Sequence, residues 1–442
     1  MAVPNLTTMV DENYLTNGLV EKAIQLVDDY ANKIGIKGLT REIFRAENGL
    51  PIVVYVVDPS PGNKKNVLIY GHLDKQPYGD GWVTDPCVPT IVGDLLYGRG
   101  GGDDGYAPFS ALLAIKAAQD QGAEMPRVVI SLETEEESGS PNLISLLKIA
   151  AERIGTPDVC LCMDSGAFDY ESLWMTSSLR GICIIDCTVE CGAGGYHSGE
   201  VGGIVPETFR IVRTLLNRLD NAETGEVTAE LQCEPPQWKL DEAKHLAGLA
   251  GSAMYEKYKI VPGSEWMNMH DLEKLYLKGT WEANMSITGA DGLPAIKMAG
   301  NVVRPKTAVR ISMRLPPSMD PKVAQAIMEK KLTENVPYNA KVTLHGGHAG
   351  SGWCMKDLTP ELMDAIKVAG STFYGKETGS YAIGGSIPFL SELGKMYPTT
   401  QIVAFGVLGP NNNAHGPNEM INLAYTKKLT CSLAHIIQSI SK

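Results

Sequence analysis

The sequence holds no uninterrupted apolar stretch near the ~18 residues that a membrane-spanning helix needs, although 44% of its 442 residues are hydrophobic. It has no cluster of Lys and Arg to interrupt a net charge of −12, so a phosphate backbone finds no electrostatic footing and nucleic acid is not an expected partner. The opening MAVPNLTTMVDENY has neither a basic start nor an apolar core, and no targeting segment is expected there. A disulfide framework is missing too. The nine cysteines are odd in number, scattered, and often set inside strand-like runs such as DVCLCMD and GICIIDC. Cys160-x-Cys162 and Cys187-x3-Cys191 lack the second pair that a structural zinc site would need. Reduced thiols in a cytoplasmic protein are the expectation. There is no repeat, low-complexity tract or linker, and the length points to two domains.

What is present is alternation. From Leu19 the apolar positions Ala23, Val27, Tyr30 and Ile34 recur at helical spacing, with Gly35 placed as a C-cap. The strand-like runs PIVVYVV and NVLIYGH follow. Next come a helix APFSALLAIKAAQDQG, with Pro108 near its start and Gly122 at its end, a strand RVVISLE, a helix LISLLKIAAERIG and a strand DVCLCMD. Strands alternating with helices predict an α/β class with a mainly parallel sheet. After GICIIDCTVEC the pattern changes: a glycine-rich GAGGYHSGEVGG, a helix with Pro206 at its start, a long polar segment and KTAVRISMRLPP. That last run puts Val309, Ile311, Met313 and Leu315 on one face and Arg310, Ser312 and Arg314 on the other, as in an antiparallel sheet with one wet side. PKVAQAIMEKKL adds a helix and AKVTLHG a strand, and the α/β style returns near residue 350. The predicted organisation is a discontinuous catalytic domain, 1–182 and 350–442, with an inserted α+β domain, 183–349, of antiparallel sheet plus two helices.

Residues able to bind metals follow the strands of the first domain. NVLIYG leads to His72 and Asp74, LLYGRGGG to Asp103 and Asp104, and VVISLE to Glu135, Glu136 and Glu137; VCLCM leads to Asp164 and IVAFGVLGPNNNA to His415. Open α/β sheets bind ligands beyond the carboxyl ends of their strands, so these groups are expected to converge. Two imidazoles and several carboxylates without a thiolate describe a site for zinc, manganese or cobalt. A carboxylate between two metals gives one oxygen to each. Asp74, two residues past His72, is placed to accept the ring's free N–H, and adjacent glutamates allow one to coordinate while its neighbour takes a proton from metal-bound water. Any one acidic turn is more often a helix cap or a solvated loop; the weight lies in their common position after strands.

At these residues the sequence resembles the dinuclear-zinc amidohydrolase and peptidase family of carnosinase, aminoacylase, acetylornithine deacetylase and bacterial glutamate carboxypeptidase. GHLDKQP, GWVTDPCVPTIVGDLLYGRGGGDDG, ETEEESGS, CMDSGAF, YHSGEVGG, SMRLPP, HGGHAG, GGSIPF and NNNAHGPNE occur in family order over most of the chain, nearest to carnosinase-like cytosolic dipeptidases. The resemblance implies His72, Asp103 and Asp164 on one metal and Asp103, Glu137 and His415 on the other. It makes Glu136 the general base, Asp74 the partner of His72, and the Asp103-Asp104 peptide cis. It also implies that the inserted domain is a lid carrying homodimer contacts, with His197 reaching the partner's site to stabilise the oxyanion. Arg314 would bind the substrate's terminal carboxylate, His345 matches a substrate-side position, and Gly385 and Ser386 within the Gly384-Gly385-Ser386 turn could present backbone N–H groups to the same carboxylate; the bland reading of His197 is a loop histidine, and that of Arg314 an exposed strand arginine.

The family's common lysine after the Asp pair is replaced by Gly105, the charged pair before GGSIP by Ala382-Ile383, and its Gly-Ala-Thr or Gly-Ala-Ser by glycines 100 to 102. None of these is a metal ligand. The activity expected is hydrolysis of an amide bond beside a free carboxylate by a hydroxide shared between two divalent ions, in a dipeptidase or carboxypeptidase. The alternatives are an N-acyl-amino-acid deacylase and a catalytically silent metal-binding relative.

Overall fold

The computed structural model describes residues 1–46 and 49–441. The chain divides into two compact units: Met1–Ser177 with Met355–Tyr381 and Ile387–Lys442, and Ser178–Cys354 with Ala382–Ser386. The second unit therefore starts at Ser178 rather than 183, ends at Cys354 rather than 349, and includes the 382–386 turn that sequence pattern gives to the first domain. Strand pairing sets part of this border: Gly181 already pairs with Leu315, and Gly350 still pairs with Ile182.

The first unit is built on a six-stranded sheet in the order Leu39–Arg45, Pro51–Val57, Arg127–Glu133, Asn66–His72, Val159–Cys162, Gln401–Ala404. The last four strands are parallel; the first two join antiparallel at one edge. Pro51–Val57 and Asn66–His72 are buried at every residue, because helices cover such strands on both faces, and this is why they read as unbroken apolar runs. Helix Leu19–Ile34 buries Val20, Ala23, Ile24, Val27 and Ala31 and ends on Gly35 in the left-handed region, as its spacing predicts. Helix Ala107–Asp120 carries its proline in the first turn. The helix expected from LISLLKIAAERIG is two pieces, Leu143–Ile149 and Ala151–Ile154, because Ala150 between them has ψ near 0°. Parallel strands align their carboxyl ends, so His72, the 133–137 run, Asp164 and His415 all follow the same edge of the sheet.

The second unit holds a four-stranded antiparallel sheet in the order Asn284–Asp291, Lys306–Leu315, Gly181–Glu190, Lys341–Gly350. Its inner face, with Cys183, Ile185, Cys187, Val309, Ile311, Met313 and Leu315, packs on helices Thr208–Leu216 and Pro321–Thr333 through Ile211, Val212, Leu215, Ala324, Met328 and Leu332. The predicted alternation along KTAVRISMRL is therefore observed, with Arg310, Ser312 and Arg314 on the wetter face. No helix among the described residues is long and apolar enough to cross a membrane.

Candidate metal centre

His72 ends a central strand and is completely buried. Its Nδ1 lies 3.1 Å from the Asp74 carbonyl oxygen, which can only accept, so Nδ1 carries the ring proton and Nε2 keeps its lone pair. That Nε2 faces Asp103 Oδ1 at 3.1 Å and Asp164 Oδ1 at 3.7 Å. On the other side of Asp103, His415 Nε2 stands 2.9 Å from Oδ2 and 3.4 Å from Glu137 Oε2. Lone pairs do not converge on one another without a cation or a proton among them. Ligands about 2.1 Å from a tetrahedral ion lie about 3.4 Å apart, and the observed spacings of 2.9 to 3.7 Å are compatible with that. His72, Glu136 and Asp164, and likewise His72, Asp103 and Glu137, offer donor atoms all within 4.8 Å of one another. The residues present fit divalent metal ions.

The electrostatics agree. Burial alone would lower the His72 pKa, but Asp164, Asp103 and Asp74 outweigh it and raise it well above the ordinary value. A hydrogen bond donated to the Asp103 carboxylate is the largest influence lifting His415 to about 8. Asp103 is held well below the usual carboxylate range: burial pushes it up, and the two imidazoles overcome that. Glu136 is raised well above its ordinary value by burial and then by Asp164, and Glu137 is raised to about 8 by burial and Asp103. These are the expected signs for carboxylates crowded together without their counter-ions.

The Asp74 carboxylate stands 3.4 Å from His72 Nδ1, beside its own carbonyl oxygen at 3.1 Å. It has further partners that sequence reading did not give: Oδ1 accepts the Glu136 backbone N–H at 3.1 Å and Oδ2 the Glu137 N–H at 3.0 Å. Two residues beyond a strand end, the aspartate thus fastens the neighbouring strand's glutamate turn to the histidine loop. Gln76 Nε2 donates to Glu137 Oε2 at 2.7 Å. The Asp103-Asp104 peptide is cis, and Asp104 Oδ2 accepts the His72 backbone N–H at 3.1 Å. Residue 71 must be glycine here, since a Cβ on it would lie 2.6 Å from that oxygen.

The remaining sequence candidates belong to the second unit. His197 is exposed at the start of a short helix, and its Nδ1 accepts the Gly199 N–H at 3.1 Å, which leaves the ring proton on Nε2. Arg314 is half-buried, burial lowers its pKa, and among the described residues it pairs with no carboxylate. His345 is not beside it. His345 lies in the row of Asp186 and Arg310, whereas Arg314 shares a row with Ile182 and Gly350. The shift between Gly346 and Ala349 brings His348 to that end, where Arg314 and burial both lower its pKa. HGGHAG offers two histidines, and the bulge that selects between them has no sequence signature beyond its glycines. Gly384 in the Gly384-Gly385-Ser386 turn is held by Arg180, whose Nε donates to the Gly384 carbonyl at 3.1 Å.

Sequence reading also missed Arg99 and Glu419. Both are fully buried and paired at 2.8 Å. Arg99 in YGRGGG looks like a loop arginine, and Glu419 in GPNE like a helix-capping acid. Only their position four residues from Asp103 and four residues from His415 hinted at more.

A family model described as Peptidase family M20/M25/M40 matches residues 68–439. The chain is 27% identical over 449 residues to the Cys-Gly metallodipeptidase dug1 of Schizosaccharomyces pombe, covering 96% of this chain and 91% of that protein. It is 25% identical over 394 residues to the Beta-Ala-His dipeptidase of Homo sapiens, covering 84% and 74%. Among solved structures, the M20 family metallo-carboxypeptidase Sso-CP2 from Sulfolobus solfataricus matches with a TM-score of 0.80 at 20% identity, over 100% of this chain and 97% of that one; the likeness is one of fold.

Proposed function

Because the chain belongs to peptidase family M20/M25/M40 and is by that membership a metallopeptidase, we propose that it hydrolyses dipeptides or the amide bond next to a free C-terminal carboxylate. The observation that carries this reading is Asp103, which offers one carboxylate oxygen toward each of two imidazoles. We assign His72, Asp103 and Asp164 to one divalent ion and Asp103, Glu137 and His415 to a second, zinc first, with manganese and cobalt also suited to these donors. Bound ions would lower the pKa of water to near neutrality and polarise the scissile carbonyl.

The chain's own residues do the rest. Glu136 receives the proton of the attacking water on a carboxylate oxygen and returns it to the leaving amine nitrogen. Asp74 sets the backbone that presents it. Arg314, with a guanidinium fork not spent on a carboxylate, and the Gly385 and Ser386 turn take the substrate's free carboxylate, with His348 in place of His345 beside Arg314. The chain acts as a homodimer through its second unit, and His197 of a second copy donates from Nε2 to the developing oxyanion. The exposure of His197 within one chain supports this, as do exposed Tyr196 and Val302 in the same short ribbon and exposed Ile204, Ile296 and Met298 in the same unit. Nine free cysteines support a reducing, cytoplasmic setting.

The test is turnover by the purified chain, loaded with zinc or manganese, against a panel of dipeptides and N-acetyl amino acids. Amine release from dipeptides is expected. Turnover confined to N-acetyl amino acids would replace the peptidase by the deacylase, and no turnover with two ions bound would leave a silent relative.

A further inference from the structure

Glu419 accepts five hydrogen bonds, and the metal centre as assigned makes no direct use of it. Its Oε1 accepts the backbone N–H groups of Gly101, Gly102 and Asp103 at 3.0, 3.1 and 3.3 Å, and its Oε2 accepts that of Gly100 at 2.9 Å and Arg99 Nη1 at 2.8 Å. Four successive amides that point one way normally form an anion site; here the anion is the chain's own side chain. Burial and nearby Asp103 raise the Glu419 pKa, yet the five close partners just named are all donors, so the ionised form is the one that this cradle fits.

The other half of the pair reaches the His415 loop. Arg99 Nη2 donates to the Gly416 carbonyl at 2.8 Å and to that of Pro77 at 3.1 Å. That loop needs holding. Asn411, Asn413, His415 and Asn418 all have φ near +60°, a region that costs side-chain-bearing residues energy and persists only where the surroundings over-determine it. His415 is the most exposed of the proposed ligands and sits on this loop, whereas His72 ends a buried strand and Asp164 follows another just past its end.

We propose that Arg99 and Glu419 are positioning residues that fix the separation between Asp103 and His415, and through it the affinity of one metal site and not the other. The ion assigned to Asp103, Glu137 and His415 depends on two segments that are aligned by pairing of Leu95–Tyr97 with Met420–Asn422 and by the Gly98 N–H on the Glu419 carbonyl, and this pair of side chains carries that alignment on to the Asp103 amide and the Gly416 carbonyl beside the ligands. The ion assigned to His72, Asp103 and Asp164 takes two of its ligands from the sheet. The inference rests on the metal assignment above, so its test reads metal binding before activity.

Glu419→Gln keeps the shape but places an N–H donor among donors. Zinc bound per folded chain is counted by elemental analysis, and affinities are obtained by competition with a chelator, alongside the melting temperature. One ion should bind as in the wild type and the other about tenfold or more weakly, the scale typical of groups that orient ligands. Arg99→Lys, which keeps the charge but loses the fork, is the second variant should the first fail to fold, and should weaken the same ion. In a His415→Ala background Glu419→Gln should cause no further loss. Two ions held with wild-type affinity in a folded variant, or equal weakening of both, would overturn the inference. A chain that binds fewer than two ions even as wild type would instead defeat the metal assignment itself.

Discussion

The Asp74 carboxylate grips the backbone of Glu136, its Oδ1 accepting that residue's N–H at 3.1 Å while Oδ2 takes the N–H of Glu137 at 3.0 Å. One side chain thereby sets both the proposed base and a proposed ligand. Asp74→Asn retains the volume but replaces one acceptor by an NH2 group, leaving one of these amides unpaired in a buried place. We expect a 10–100-fold fall in kcat/KM or in metal affinity, as for other groups that orient metal ligands. Wild-type values for both in Asp74→Asn would show that the two amides need no carboxylate.

Replacing the base separates chemistry from metal binding. Glu136→Gln should lower kcat by a factor on the order of 10²–10⁴, the usual contribution of a positioned proton-transfer group. Its metal content by elemental analysis should match the wild type, because His72, Asp103, Glu137, Asp164 and His415 remain. Activity that survives the substitution would remove Glu136 from the mechanism; loss of an ion would make it a ligand.

The sequence made the first unit legible because the placement follows one rule. Parallel strands deliver whatever follows them to one edge, so His72, Glu137, Asp164 and His415 could be brought together from apolar runs alone. Asp103 was gathered with them because it follows the run LLYG, but that strand, Leu95–Tyr97, belongs to a separate three-stranded sheet, and only the family resemblance made Asp103 the shared ligand. What stayed hidden depends on geometry with no period. The Gly346/Ala349 shift decides which histidine of HGGHAG stands near Arg314. Arg99 and Glu419 are 320 positions apart and declare themselves only when the four amides between Gly100 and Asp103 are seen to point at one carboxylate. Asp74 was found, but two of its partners are backbone groups, which no residue pattern records.

If His197 acts across a dimer, two inactive chains can repair each other. A Glu136→Gln chain keeps a good His197, and a His197→Ala chain keeps a good Glu136. In a mixed dimer one of the two sites is whole. Random co-assembly of equal amounts should therefore restore about a quarter of wild-type turnover, from half the dimers each holding one intact site of two. Mixing after co-refolding, followed by a dipeptide assay, measures this. No recovery in a preparation shown to contain mixed dimers would place His197 in its own chain's site or outside the chemistry.

Lys75 offers a test of folding energetics that leaves the proposed ligands intact. Its ammonium is buried against Asn5, whose Oδ1 accepts from Nζ, and against the Val3 carbonyl at 3.0 Å, with no carboxylate paired to it among the described residues. Burial lowers its pKa from 10.5 to about 8. Between those values the unfolded chain keeps a proton that the folded chain has lost, so stability rises with pH across the window, and below about 8 the buried charge costs the fold its full amount. The shift corresponds to roughly 3 kcal/mol by the 1.36 kcal/mol per unit conversion, an upper bound on the slope's total. Other groups titrate in the same range, so the quantity to measure is the difference between wild type and Lys75→Met in urea unfolding at pH 7.5, 9 and 10.5. The variant should lack the upward component, and the gap between the two proteins should move in the wild type's favour as pH rises. Parallel curves would mean that Lys75 is solvated in the folded chain.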